Sequence, residues 1–490
     1  MFIFTNSSLI LPIAGTTTAY FIGLIIYRLF FDSLSKFPGP KLAAITRYYE
    51  AYYDVVKGGQ YTFKIAELHK EYGTSPPSPL HPHQAPKPKW TNTYPPPNQG
   101  PIIRISPYEL HIHDPSYFTT LYRQEGTWNK YPWTYKAFAT DNAAICSAEH
   151  HIHKRRVAPL RPFFSKATVS RRQDLIHKRA DKLCERVSEY ASSSSSPSSP
   201  SLNLGSALSA LTVDVATEYI LGRSYDNLSR EDFNKDMTGM FQSSGRIWRV
   251  GKHLPWLGPA LKGIPVWVIQ GMDRKAGAVF EYLGATKDVI AEHASGVVDK
   301  ESPHTIIHEI LRADMPESEK SFHRVEDDVI TVTGGGFETV AQSLRAIIYY
   351  IYSNAEVLQR LRTELTGAKA KAKAQDGNIP LRDLEQLPYL TAVITEGLRL
   401  SPGLATRMAR IAPDRELVYG QWKIPAGTPV GMTALLMHLD ESVYPDAKKF
   451  HPERWTDTEK RRIGEKTYAP FSRGTRSCLG MQYVPQKISY

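Results

Sequence analysis

From Met1 to Tyr27 the chain carries no charged residue, and the apolar run continues to Phe31 with Arg28 as its one break. At the rise of an α-helix this stretch is long enough to cross the hydrocarbon core of a bilayer. Arg28 and Lys36 follow it and no basic residue precedes it, so the positive-inside bias assigns the rest of the chain to the cytosol. A cleaved signal peptide would need a charged n-region and a shorter apolar core. The expectation is a membrane anchor at 1–32 and one body at 33–490.

That body has 41% hydrophobic residues, enough for a large water-soluble core. The net charge of +11 is dispersed, which suits an acidic partner or an anionic lipid surface. Nucleic acid is not expected, because no compact Lys/Arg block is interleaved with aromatics. Cys146, Cys184 and Cys478 are the only cysteines. An odd, sparse set without zinc spacing argues against a disulfide framework and a zinc site, so a functional cysteine must act alone.

Phe37–Pro40 reads FPGP, a stiff elbow after the anchor, and Lys41–Tyr72 reads as helical. Residues 74–100 are dense in proline and nearly free of aliphatics, so they are expected to form a surface insertion or translated intron. The following PIIRISPYELHI alternates like a strand. Ser192–Ser201 and the lysine-rich Gly367–Gly377 are low-complexity breaks. Asp327–Tyr352 reads as one long helix and Leu381–Leu400 as another, before short strand-like runs in LVYGQWKIPAGTPV. The fold class expected is mainly α with a minor β-sheet.

The strongest signal is FSRGTRSCLG, Phe471–Gly480. Gly474 and Gly480 permit tight turns, and Arg476 puts a cation two residues from Cys478, which favours a thiolate. A lone thiolate on a rigid loop can ligate haem iron. A buried free cysteine is the commoner use of a single Cys. Here the segment fits F-x-x-G-x-R-x-C-x-G at every fixed position, which decides against that use.

This decapeptide resembles the haem-binding loop of the cytochrome P-450 family, and further matches follow in the family's order. Glu396 and Arg399 form E-x-x-R, and Pro452–Trp455 reads PERW. The resemblance implies that Arg454 joins Glu396 and Arg399 in a buried network behind the loop. Gly335–Thr339, GGFET, resembles the family's oxygen-activation motif. An acid and an alcohol side by side, Glu338 and Thr339, can relay protons. Three successive helix-weak glycines, Gly334–Gly336, each disfavour the helix by about 1 kcal/mol and suggest that something approaches the backbone there.

The resemblance implies a cytochrome P-450 fold and haem b on Cys478, within Phe471, Gly474, Arg476 and Gly480. The two haem propionates need donors. Arg476, Arg410, and His151 with Arg155 at H-x-x-x-R spacing are the candidates, and a plain basic surface helix is the rival for the last two. It also implies insertion of one oxygen atom from dioxygen into an apolar small molecule, in the manner of fungal secondary metabolism. Electrons would come from an NADPH-dependent flavoprotein reductase. Lys448, Lys449, Lys460, Arg461, Arg462, Lys466 and Arg473 could offer that donor a positive face. The expected setting is the endoplasmic reticulum membrane, single-pass, with the catalytic body in the cytosol. Isomerisation or dehydration without dioxygen is disfavoured by the retained Glu338 and Thr339. After Gly480 only MQYVPQKISY remains, and Pro485 limits any helix there. The family's long helix and hairpin are not recognisable in it. The alternative expectation is therefore a haem-poor, inactive remnant.

Overall fold

The chain is described by a computed structural model covering residues 7–72, 102–138, 140–193, 201–265, 267, 268, 271, 274–295, 304–371 and 379–482. The proline-rich insertion, most of the serine-rich and lysine-rich breaks, and the tail beyond Gln482 lie outside the described residues. Contacts divide the chain into two units, Met1–Tyr117 with Arg407–Thr433, and Phe118–Thr406 with Ala434–Tyr490.

The first unit begins with helix α1 (Ser7–Ile26), which runs into a wider π turn at Tyr27–Phe31. Pro12–Phe31 is long and apolar enough to cross a membrane, and none of it is buried in the protein. The turn is tied down by Arg104, whose guanidinium donates to the Arg28 carbonyl at 2.8 Å and to Asp32 at 2.7 Å. The stretch Lys41–Tyr72, expected to be helical, is helical in several pieces. Thr46 is extended and Gly58 and Gly59 have positive φ, so the main helix is α2 (Tyr61–Tyr72).

The expected single strand over PIIRISPYELHI is an antiparallel pair, β1 (Ile102–Arg104) and β2 (Leu110–Ile112), with Ile103 opposite His111. The other strands of this unit are β3 (Arg410–Ile411), β4 (Leu417–Tyr419), β5 (Trp422–Ile424) and β6 (Val430–Gly431). Strand β6 pairs parallel with β2 and antiparallel with β3, while β4 and β5 form a separate hairpin. Arg407, buried, donates in two pairs of bonds to Glu50 (2.7 and 3.0 Å) and Glu109 (2.8 and 3.0 Å). No motif in the sequence announced this cluster, because Arg407 lies 357 residues from Glu50 and 298 from Glu109.

The second unit is helical. Its elements include α3 (His150–Val157), α4 (Gln173–Ser193), α5 (Leu204–Leu221), α6 (Lys235–Gly251) and α7 (Arg274–Ala294). They continue with α8 (Phe322–Gly335), α9 (Glu338–Tyr352), α10 (Ala355–Lys371), α11 (Pro388–Leu400) and α12 (Ala434–His438). Helix α5 is apolar almost all round because it is the core helix of this unit, with 72% of it buried. Asn203 caps its start by accepting from the Ser206 amide, and Gly222 ends it in the left-handed conformation.

One apolar cluster joins α5, α7 and α8 through Val213, Tyr219, Ile290, Val329 and Phe337. Another joins α9, α10 and α11 through Val340, Ile347, Leu361, Val393 and Leu398, with Phe471 packed against it. Helices α9 and α11 meet at Gly397, where an added Cβ would fall 2.2 Å from Ile347 Cγ1. Any larger residue at 397 requires Ile347 or the helices themselves to shift.

Candidate functional site

The buried centre of the second unit is Glu396. Arg399 donates to both its oxygens at 2.8 Å, Arg454 Nε to Oε1 at 3.1 Å, and Trp455 Nε1 to Oε2 at 2.8 Å. The His451 amide adds a fifth bond at 3.0 Å. Burial by itself would raise this carboxyl, but the bonds from Arg399 and the charge of Arg454 bring it below the usual carboxylate value. Arg399 spends its other donors on the carbonyls of His438, Ala447 and Lys449. The pair expected from E-x-x-R spacing is thus buried, and Arg454 meets it from 58 residues further along.

The loop Phe471–Gly480 is pinned at several points. Gly474 has φ of 75° and lies so close to the chain at Tyr122 and Arg123 that an added Cβ would sit 2.7 Å from both carbonyl oxygens. Arg476 is buried and donates to the carbonyls of Ser147 (2.8 Å), Ala148 (2.7 Å) and Trp128 (3.3 Å). The Cys478 amide closes the loop by donating to Phe471 O at 2.9 Å.

The Cys478 side chain combines two properties that rarely coexist. The residue is open to solvent, yet burial by surrounding protein is the main cause raising its thiol pKa, with the Gly480 N–H pulling it down. The expected help from Arg476 is absent, because its guanidinium is turned to the three carbonyls. A cysteine on a loop held in this way offers the kind of sulfur donor that soft-ligand metal centres use.

The long helix expected over Asp327–Tyr352 breaks at Gly336–Phe337. Phe337 has φ −85° and ψ −91°, and short i→i+3 bonds from Gly336 to Thr333 and from Phe337 to Gly334 replace the α pattern. A Cβ added to Gly334 or Gly335 would meet nothing within 4 Å, so the broken stretch borders open space. Thr339 Oγ1 donates to the freed Gly335 carbonyl at 2.7 Å. Glu338 points elsewhere. Its carboxylate is held by Arg345, and Ser209 of α5 donates to it at 3.4 Å. Burial raises this carboxyl, with Arg345 pulling the other way. The acid and alcohol are neighbours in sequence, but no hydrogen bond joins them.

The basic helix α3 does not present the expected pair to the loop. His151 is 75% exposed and pairs with Glu149 at 3.2 Å, and Arg155 pairs with Glu319 at 2.7 Å. Two residues along a helix turn a side chain by about 200°, and His153 is the buried member. Burial, then the nearby Arg476, lowers its pKa to about 2. Arg410, in the first unit, is buried and donates to the carbonyls of Met408 (3.0 Å) and Ala409 (3.3 Å). The expected positive face is largely neutralised by its own acids: Lys449 pairs with Asp446, Lys460 with Asp457, Arg461 with Glu465 and Arg462 with Glu459. Arg473 is turned to backbone carbonyls.

The sequence profile of the family described as "Cytochrome P450" matches residues 100–483. The chain belongs to this family. This P450 is 35% identical to a cytochrome P450 monooxygenase of Ascocoryne sarcoides, MO6277, over 97% of this chain and 89% of that protein. It is 36% identical to the cytochrome P450 monooxygenase tpcC of Cochliobolus heterostrophus over 94% of this chain and 83% of that protein. An N-acetyltryptophan 6-hydroxylase of Emericella nidulans is 31% identical over 96% and 87%. The crystal structure of a cytochrome P450 superposes with a TM-score of 0.63 at 18% identity, covering 79% of this chain and 82% of that one, which establishes the fold. The P450 is therefore an oxygen-incorporating, haem-dependent oxidoreductase that draws electrons from a redox partner.

Proposed function

We propose that this P450 is a membrane-anchored monooxygenase of fungal specialised metabolism, acting on an apolar small molecule, with Cys478 as the axial ligand of haem b. The observation that carries the ligand assignment is the pinning of the Cys478 loop by Gly474, by Arg476 and by the Cys478 amide bond to Phe471 O. The haem, when bound, supplies dioxygen activation, and electron donation from the thiolate favours cleavage of the O–O bond.

Within this reading each residue has a separate task. Gly474, Arg476 and Gly480 hold the loop, and Phe471 anchors it on the helical core. Glu396, Arg399 and Arg454 form the rigid support behind it. His153 is the donor assigned to a propionate, in place of the outward-facing His151 and Arg155. Thr339 offers a hydroxyl beside the open stretch, already oriented by Gly335 O, and its lone pairs can accept from water. Glu338 would recharge it with a proton through a bridging water or on release from Arg345.

Electrons are assigned to an NADPH-dependent flavoprotein reductase, and Lys448 and Lys466, which form no ion pair among the described residues, are the cations assigned to its acidic surface. The apolar Pro12–Phe31 helix supports single-pass anchoring in the endoplasmic reticulum membrane with residues 33–490 in the cytosol. The names of fungal relatives support the metabolic setting.

The test is the reduced carbon monoxide spectrum of the full chain. Cys478→Ser should abolish the thiolate-type band, whereas Cys146→Ser and Cys184→Ser should leave it. A band that survives in Cys478→Ser removes the ligand assignment.

A further inference from the structure

The cysteine loop and the Glu396 network are separate in sequence, and one buried side chain touches both. His438, the last residue of α12, has no solvent exposure. Its Nδ1 lies 3.0 Å from the backbone carbonyl of Arg399, and its Nε2 lies 3.0 Å from the backbone N–H of Ala469.

These two partners fix the tautomer. A carbonyl can only accept, so Nδ1 carries the proton. An amide N–H can only donate, so Nε2 is bare. A proton on Nε2 would face the Ala469 N–H, so the imidazole must stay neutral. The ring is also held sideways: it stacks on Tyr468, with centroids 5.8 Å apart and 24° between planes, and meets the edge of Tyr444 at 6.4 Å. The His438 carbonyl accepts from Arg399 Nη1, so Arg399 grips this residue by side chain and by backbone.

Ala469 stands where the chain turns into the cysteine loop. Its carbonyl accepts from the Ser472 amide at 3.1 Å, and Phe471 O accepts from the Cys478 amide. The bond from Ala469 to His438 therefore sets the near end of the loop, as Gly474 and Arg476 set its middle.

We propose that His438 is a positioning residue that transmits the rigidity of the Glu396–Arg399 network to the cysteine loop through the Ala469 amide. The inference rests on the reading of Cys478 as the haem ligand.

Two near-isosteres separate the two bonds. The amide of Gln reaches the position of Nε2, and that of Asn the position of Nδ1. His438→Gln should keep the bond to Ala469, and His438→Asn the bond to Arg399. Backbone amide exchange is measured on the full chain, without haem and after haem loading. In His438→Gln, exchange at Ala469–Gly480 should stay within about twofold of the native chain. In His438→Asn and His438→Phe it should rise by about tenfold or more, while α11 changes by less than about twofold. Haem content should fall in the same order.

Equal loop exchange in His438→Asn and His438→Gln overturns the proposal, as does a rise in α11 matching that in the loop. Should His438→Phe not fold, the Asn and Gln pair decides, and a Gln variant that fails to fold also counts against it. The exchange result without haem is independent of the ligand. A failed Cys478 assignment shows instead as a surviving band in Cys478→Ser.

Discussion

Among the glutamate–arginine pairs of the helical unit, Glu396 with Arg399 and Glu338 with Arg345 have carboxyls that move in opposite directions. Glu396 and Glu338 are both drawn from water, and in both the largest influence is burial, which raises a carboxyl. Glu396 also accepts from two arginines, an indole and an amide, and ends below its ordinary value. Glu338 has one arginine and a long bond from Ser209, and ends above it. The number of donors converging on a buried charge decides its behaviour. A fully satisfied carboxylate is a fixed part of the frame, whereas a partly satisfied one stays ready to take up a proton.

The contrast breaks most sharply at Glu396. Glu396→Gln leaves Arg399 and Arg454 buried without a counter-charge, at about 3–5 kcal/mol. Against a net stability of about 5–15 kcal/mol, the variant should fall steeply in soluble yield, thermal midpoint and haem content. A midpoint close to the native one would mean that the network is not a structural keystone.

Acid sharpens the contrast next. Glu396 contributes stability that is present above 4.5 and is lost as pH falls through its lowered value. Glu338 has the opposite sign: its contribution is present below 4.5 and lost as pH rises through its raised value. His438 is lowered from 6.5 to about 3 by burial and by Arg399, with Glu396 and Arg473 also facing it. Its contribution is present above 6.5 and is lost as pH falls from there toward 3, by about 1.4 kcal/mol per pH unit at the steepest. His153, lowered to about 2, acts in the same window. Thermal midpoints from pH 7 to 5 should decline in the native chain and decline less in His438→Gln. Parallel curves for the two would remove His438 from the acid limb.

Glu338→Gln should cost only about 1 kcal/mol, since it removes one partly exposed ion pair. Its product yield should drop more than its stability. A loss of stability like that of Glu396→Gln would make the two sites equivalent and undo the comparison.

Thr339→Ala should change stability least. The hydroxyl makes one bond, to Gly335 O beside open space. Haem should bind and NADPH should still be consumed, with peroxide rising and product falling several-fold. Unchanged coupling would leave Thr339 a helix-terminus residue only.

The motif loop at Cys478, the E-x-x-R pair, PERW and the uncharged N-terminal helix were all legible in the sequence. Each is a local pattern, in which a few residues at fixed spacing do one job and the backbone between them is stiff. The sequence also marked Gly334–Gly336 as a weak point in a helix, and the helix breaks there, because consecutive glycines lower the penalty for leaving the α conformation.

What depended on helical phase or on distant partners was not legible. H-x-x-x-R spacing selected His151 and Arg155, but packing turns His153 inward and leaves the other two to Glu149 and Glu319. Charge alone suggested a positive surface, yet most of those cations are already paired with acids on their own turns. No spacing rule finds His438, whose two partners lie 39 and 31 residues away on different elements. By itself the sequence determined the kind of chemistry, because a cysteine loop of the family pattern and a charge-free helix are recognisable without neighbours. The tertiary structure alone decided which side chains are buried, which are paired and which turn inward. Burial, tautomer and protonation are set by what packs around a residue, and that information is spread over the whole chain.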